Sequence, residues 1–92
     1  MPPLPELWRV EYSEQANRAL NKLDKVVRER IEAYLNCLPS VGPRTRGKQL
    51  SGSRAGQWRY RIGDYRAICE LQDNVLVVLV LEIGHRSKVY KK

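Results

Sequence analysis

Trp58-Arg59-Tyr60-Arg61-Ile62-Gly63-Asp64-Tyr65-Arg66-Ala67-Ile68-Cys69 sets bulky apolar residues against cationic ones on both sides of a Gly-Asp pair. Alternation of this kind has the period of a half-buried strand. Glycine at the first central position suits a two-residue hairpin loop, where positive φ is required. With that loop Ile62 faces Tyr65, Arg61 faces Arg66 and Arg59 faces Ile68. Opposed residues in a sheet point to the same side. The stretch therefore predicts an antiparallel hairpin with Arg59, Arg61 and Arg66 on one face. Trp58, Tyr60, Ile62, Ala67 and Cys69 take the other, which is the natural partner for helices.

The segment from Val75 to Leu81 is apolar at every position. Both faces of such a strand need cover, so it is the expected central strand, running to Ile83. A two-residue turn at Asp73-Asn74 sets Leu81 opposite Arg66 and Leu79 opposite Ile68. Ile83 and His85 then continue on the arginine side. A single bulge would reverse that parity. As read, the arginine face also carries Ile68, Leu79, Leu81 and Ile83, too many apolar groups for an open surface. The tail or a protein partner should cover part of it.

Upstream, Leu7 to Tyr12 alternates and reads as a strand, placed beside Val75–Leu81. Ser13 is a good N-cap, because its hydroxyl can accept from a free helix N–H. Ala16, Ala19, Leu20 and Leu23 recur at helical spacing. Asp24 offers a second cap, and Val27, Ile31, Tyr34, Leu35 and Leu38 carry a second stripe that Pro39 ends. Ser40 to Gly56 reads as a long basic loop with a short extended piece near Gln49-Leu50. Met1 to Pro5 is a loose lead-in. The expected fold is α+β, in one domain over residues 1–92. It is a small twisted, largely antiparallel sheet of about four strands, ordered β-α-α-β-β-β, with a helical hairpin on one face and a short C-terminal tail.

The chain has 92 residues, a formal net charge of +7 and a pI near 9.8. Its charge is concentrated. Arg44, Arg46, Lys48, Arg54, Arg59, Arg61 and Arg66 stand against Asp64 alone, and the tail adds Arg86, Lys88, Lys91 and Lys92. A clustered basic region is the footprint of a polyanion partner, although a solubilising surface would look similar. Cys37 and Cys69 read as small packing residues, not as a disulfide framework. No signal peptide and no apolar run near the ~18 residues of a membrane span is visible. A reduced, cytosolic protein is the expectation.

Two directly opposed guanidinium groups destabilise a sheet, and arginine cannot relieve the conflict by losing its proton. Asp64, Glu70 or Glu82 could neutralise them. A bound phosphate would do so too, through charged bidentate hydrogen bonds. Gly84-His85-Arg86-Ser87-Lys88-Val89-Tyr90 should emerge at the same Gly63-Asp64 end. It brings an imidazole, the side-chain type that changes charge near neutrality, with a guanidinium and a phenol.

At these residues the chain resembles the RelE/ParE superfamily of toxin components from bacterial type II toxin–antitoxin systems, and the RelE branch most. The likeness covers nearly the whole chain: the opening strand, the Leu23-Asp24 helix junction, the Lys48-Gln49-Leu50-Ser51-Gly52 loop, the Trp58–Arg66 hairpin and the Gly84-His85-Arg86-x-x-Val89-Tyr90 ending. The resemblance implies an endoribonuclease that cuts mRNA in the ribosomal A site without a metal or other cofactor. It implies catalytic roles for Arg61, Arg66, Arg86, Tyr90 and His85, and RNA binding by Lys48, Arg54, Arg59 and Lys88. Arg59 and Arg61 stand where the best-studied RelE-like enzymes carry lysines. Arginine is no proton acceptor, so the general base must be another or a weaker group. An acidic, partly disordered antitoxin is implied as partner. The alternatives are a ParE-like gyrase inhibitor that cuts no RNA, and a non-enzymatic RNA- or ribosome-binding domain.

Overall fold

The computed structural model describes residues 8–87. Five strands and two α-helices follow one another as β1 (Arg9–Tyr12), α1 (Glu14–Asn21), α2 (Lys25–Val41), β2 (Lys48–Gln49), β3 (Gln57–Ile62), β4 (Tyr65–Gln72) and β5 (Val77–His85), with a 3-10 turn at Gly52–Arg54. The sheet order is β1-β5-β4-β3-β2. The α+β class and the helical hairpin agree with the sequence reading. The strand count is corrected to five, because the short extended piece pairs with β3 as β2. β1 runs parallel to β5 and every other pair is antiparallel, so the sheet is mixed.

The helices pack on one face. Ile31, Leu35 and Leu38 of α2 and Ala16 and Leu20 of α1 are buried against Tyr60, Ala67, Cys69, Val78, Val80 and Ile83. Tyr60 donates its hydroxyl to the Pro43 carbonyl, so its polar end is satisfied in the core. Pro39 does not end α2. It sits in the last turn, where its missing N–H forfeits one bond, and the helix closes at Gly42 (φ +92), whose N–H reaches the Leu38 carbonyl. Asp24 holds the N-cap place of α2 without a side-chain cap bond. Among the described residues no helix is long and apolar enough to cross a membrane.

β4 and β5 depart from the simple hairpin. Gln72 pairs with Val77, so the connection spans four residues, not two. The Val75 N–H bonds the Gln72 carbonyl as a β-turn, and Leu76 takes positive φ (+55) before the strand resumes. Arg44 grips Asp73 through two bonds of 2.8 and 2.9 Å, which hold that carboxyl below its ordinary range.

A bulge then changes the parity. Cys69 pairs with Val80, but Ile68 pairs with Glu82, leaving Leu81 as the extra residue of β5. Ser13 explains why the bulge is stable. Its Oγ accepts from the Ala16 N–H at 3.0 Å as the cap of α1 and donates to the orphaned Leu81 carbonyl at 2.8 Å. Its backbone N–H bonds the Val80 carbonyl at 2.9 Å. The helix cap and the bulge are thus one device.

Candidate nucleic-acid interface

The face away from the helices is built in rows. Lys48, Arg59, Ile68 and Glu82 lie opposite one another across β2, β3, β4 and β5. In the next row Arg61 opposes Arg66, and Arg66 opposes Gly84. The hairpin register is the one the sequence predicts. Four ion pairs exist among the described residues, and none involves Lys48, Arg59 or Arg61. The Nε of Arg59 is buried with no hydrogen-bond partner.

At the β2 edge these cations border a cleft of about 180 Å³, lined by Tyr34, Gly47, Lys48, Arg59 and Arg61. Gly47 (φ +76) lets β2 approach: a Cβ there would lie 2.8 Å from Trp58 Nε1 and from Tyr60 Cδ1, and closer still to the Arg59 carbonyl. Trp58 Nε1 donates to the Arg46 carbonyl at 2.7 Å across this contact. Arg46 lies over the Tyr34 ring, 5.2 Å from its centroid. Desolvation raises the Tyr34 phenol and Arg46 partly offsets it, so the ring carries a neutral hydroxyl.

Arg54 occupies a different place from the RNA-steering position expected. Its guanidinium reaches Gln57 on β3 at 3.2 Å and Glu82 on β5 at 2.7 Å, and so lies over β4 between them. The pair is about 30% exposed on each side. Ile68 beneath is fully buried. Ile83 is buried among the helices. Ile68, beneath the Arg54 loop, and Ile83, turned to the core by the bulge, therefore leave the apolar surface predicted for this face, whereas Leu79 and Leu81 stay partly exposed. Glu82 pairs with Arg54.

The bulge also corrects His85. It pairs with Tyr65, on the helix side of the sheet, with ring centroids 5.6 Å apart in an edge arrangement. Its side chain is thus turned from the face bearing Arg61 and Arg66. Arg86 does come to the expected end: its backbone N–H donates to the Asp64 carbonyl at 2.8 Å, beside the β3–β4 turn. Tyr90 and Lys88 lie outside the described residues. Among the described residues no three His, Cys, Asp or Glu side chains gather as metal ligands.

Sequence reasoning missed Tyr34, Gly47 and the Arg54–Glu82 pair. Gly47 between Arg46 and Lys48 was a visible signal, since glycine within a basic run marks a close backbone approach. The pairing of Arg54 with Glu82 had no signal, because their proximity depends on the bulge.

Fold and charge together define a small α+β domain with a cationic sheet end suited to a polyanion. Residues 10–90 match the family described as the ParE toxin of the type II toxin–antitoxin system parDE, and the chain belongs to that family. It is 27% identical over 85 residues to Toxin RelG of Mycobacterium tuberculosis, covering 92% of this chain and 98% of that protein. The toxin chain of the RelBE2 toxin–antitoxin complex from the same organism superposes with a TM-score of 0.81 at 27% identity, covering 88% of this chain and 100% of that one. A variant of the E. coli toxin RelE in the free state gives a TM-score of 0.75 at 25% identity, covering 92% of each chain.

Proposed function

We propose that this toxin is an endoribonuclease that cuts messenger RNA in the ribosomal A site and so stops translation. The observation that carries the reading is Arg61 set directly opposite Arg66, beside the row of Lys48 and Arg59. The 2′-oxygen of the RNA attacks the adjacent phosphorus, and the bond from phosphorus to the 5′-oxygen breaks. The 2′-hydroxyl proton goes to a base and the leaving oxygen gains a proton, giving a cyclic phosphate and a free 5′-hydroxyl. Arg61, Arg66 and Arg86 hold the phosphoryl oxygens as charge builds on them, a form of preorganised stabilisation that often contributes most to catalysis. Arg59 and Lys48 hold the flanking backbone. Tyr90 is assigned to orient the substrate or supply the leaving-group proton. His85, turned to the other face, is given no proton-transfer role.

The solved RelBE2 relative is a toxin–antitoxin complex. An acidic antitoxin is the corresponding partner here, competing with RNA for the same guanidinium groups. Charge attracts it there, and Leu79, partly exposed opposite Glu70, adds an apolar contact.

Primer extension on a message under translation tests the reading. Codon-phased cuts support it. The family description names ParE, which favours a second reading, inhibition of DNA gyrase; gyrase arrest with intact RNA would establish that instead. RNA or ribosome binding with neither effect would leave a binding domain.

A further inference from the structure

A second concavity lies on the helix side of the same sheet end. It has a volume of about 530 Å³, within the range of small-ligand sites. Arg18 and Lys22 border it from α1, Gln15 adds an amide, and Tyr65 and His85 border it from the sheet; no carboxylate stands among the described residues that line it. Arg18 does pair with Glu14 at 3.1 Å, but these side chains are 67% and 87% exposed, so water and salt screen the pair strongly.

The aromatic pair is oriented for use. Tyr65 and His85 stand edge to face at 80°. The Ser87 N–H approaches His85 Nδ1 at 3.3 Å, and the Ser87 hydroxyl lies 3.0 Å from it. With Nδ1 accepting, the neutral ring carries its proton on Nε2, which is left to donate to a ligand. The last turn of α1 carries partial negative charge, which by itself would repel an anion and attract basic side chains. That accounts for Arg18 and Lys22 but not for an aromatic pair across a cavity from them.

The cleft is joined to the arginine face around the sheet end. Gly84 lines it and is also the residue opposite Arg66. Arg86 is tied to the turn through Asp64. Arg30 brings Nη1 to within 3.7 Å of where a Gly63 Cβ would lie. Arg30 and Arg86 thus stand at the turn end, where the arginine face and the cleft meet at Gly84.

We infer that this cleft binds one nucleotide of RNA, its base against Tyr65 and His85 and its phosphate on Arg18 and Lys22. The inference rests on the RNA reading above. Aromatic stacking with cationic backbone contacts is how single strands are held without sequence preference.

The test uses the intact protein and a short RNA made uncleavable by 2′-deoxy substitution at the scissile position, with affinity read by fluorescence anisotropy over a salt series. The double variant Arg18→Glu/Lys22→Glu should bind on the order of tenfold more weakly, and its salt slope should fall by about 0.7 per lost phosphate contact. Thermal melting of this exposed double variant should fall by no more than a few degrees, the cost of acidic side chains in the last turn of α1 and beside Glu14, and a photoreactive flanking base should crosslink to Tyr65 in the wild type. Loss of affinity for the free oligonucleotide assigns the nucleotide to the cleaved strand. Loss confined to ribosome binding assigns it to ribosomal RNA. Wild-type affinity in both overturns the inference, as does a loss of antitoxin binding alone. Arg61→Gln separates the two levels: if it also leaves RNA affinity intact, the RNA reading itself has failed.

Discussion

Replacing Arg61 by glutamine should make the protein more stable and less active. Arg61 is exposed and directly opposite Arg66. At a separation of roughly 6 Å in the dielectric of water, two unit charges repel by about 0.7 kcal/mol. Favourable cross-strand pairs contribute about 0.2–1 kcal/mol, and like charges directly opposite are destabilising. Removing one charge while keeping most of the side-chain bulk should therefore stabilise by about 0.5 kcal/mol. For a domain of this size that raises Tm by roughly 2–4 °C. Salt supplies the control: in 1 M KCl the Debye length shrinks to about 3 Å, and the two melting temperatures should converge. Cleavage should move the other way, falling on the order of 10²–10³ if Arg61 holds the scissile phosphate. The assays are calorimetric melting at low and high salt, and single-turnover cleavage on programmed ribosomes. If the variant melts lower than wild type, Arg61 is a structural residue and the strained-charge argument is wrong. If it melts higher yet cuts normally, the repulsion is real but the phosphate assignment fails.

Gly47→Ala should cost about 3 kcal/mol, from positive φ plus a clash with backbone, whereas Gly52→Ala, at φ +66 with nothing within 4 Å, should cost about 1 kcal/mol; denaturant melts compare the two. Ser13→Ala removes the cap of α1 and the donor to the Leu81 carbonyl, and should destabilise by about 2–3 kcal/mol, with hydrogen exchange accelerating first around β5. Stability should fall at alkaline pH. Burial raises the Cys69 thiol and the Tyr60 phenol, and takes Tyr12 to about 12, the first from an ordinary 9.0 and the phenols from 10.0. A raised folded pKa contributes fully below the unfolded value and is lost above it, so Tm should hold to about pH 9 and then drop; a flat Tm to pH 11 would contradict this burial.

Most of the fold was legible because local rules determine it. Gly63-Asp64 fixes the β3–β4 register, and the alternation on both sides of it sorts Arg59, Arg61 and Arg66 from Tyr60, Ala67 and Cys69. The helices were readable from their apolar spacing and from Ser13. What failed was decided by contacts distant in sequence. Val75 looks like strand because it is apolar, yet it lies in the turn and is half exposed. Pro39 looks like a stop, yet one lost bond in a last turn is tolerated when Gly42 closes the helix. Arg54 looks like one more surface cation, and only the meeting of its loop with β5 gives it Glu82.

The bulge at Leu81 matters most, because it decides which chemistry each face can perform. Without it Glu82 would turn into the apolar core beneath the helices, and Ile83 would lie bare among the arginines. With it, Ile83 completes the core and Glu82 meets Arg54. The same one-residue shift carries His85 across the sheet, away from Arg61 and Arg66 and toward Arg18, Lys22 and Tyr65. The imidazole was expected on the cationic face only because an unbroken strand was assumed. Its actual place leaves Arg61 and Arg66 at the end of that face with guanidinium groups that stabilise charge but move no proton. On the ribonuclease proposal, proton transfer there depends on a group brought in by the tail, the substrate or the ribosome. Such a division, with charge stabilisation resident and proton transfer supplied on docking, would keep a small ribonuclease idle on free RNA and active where translation presents the message.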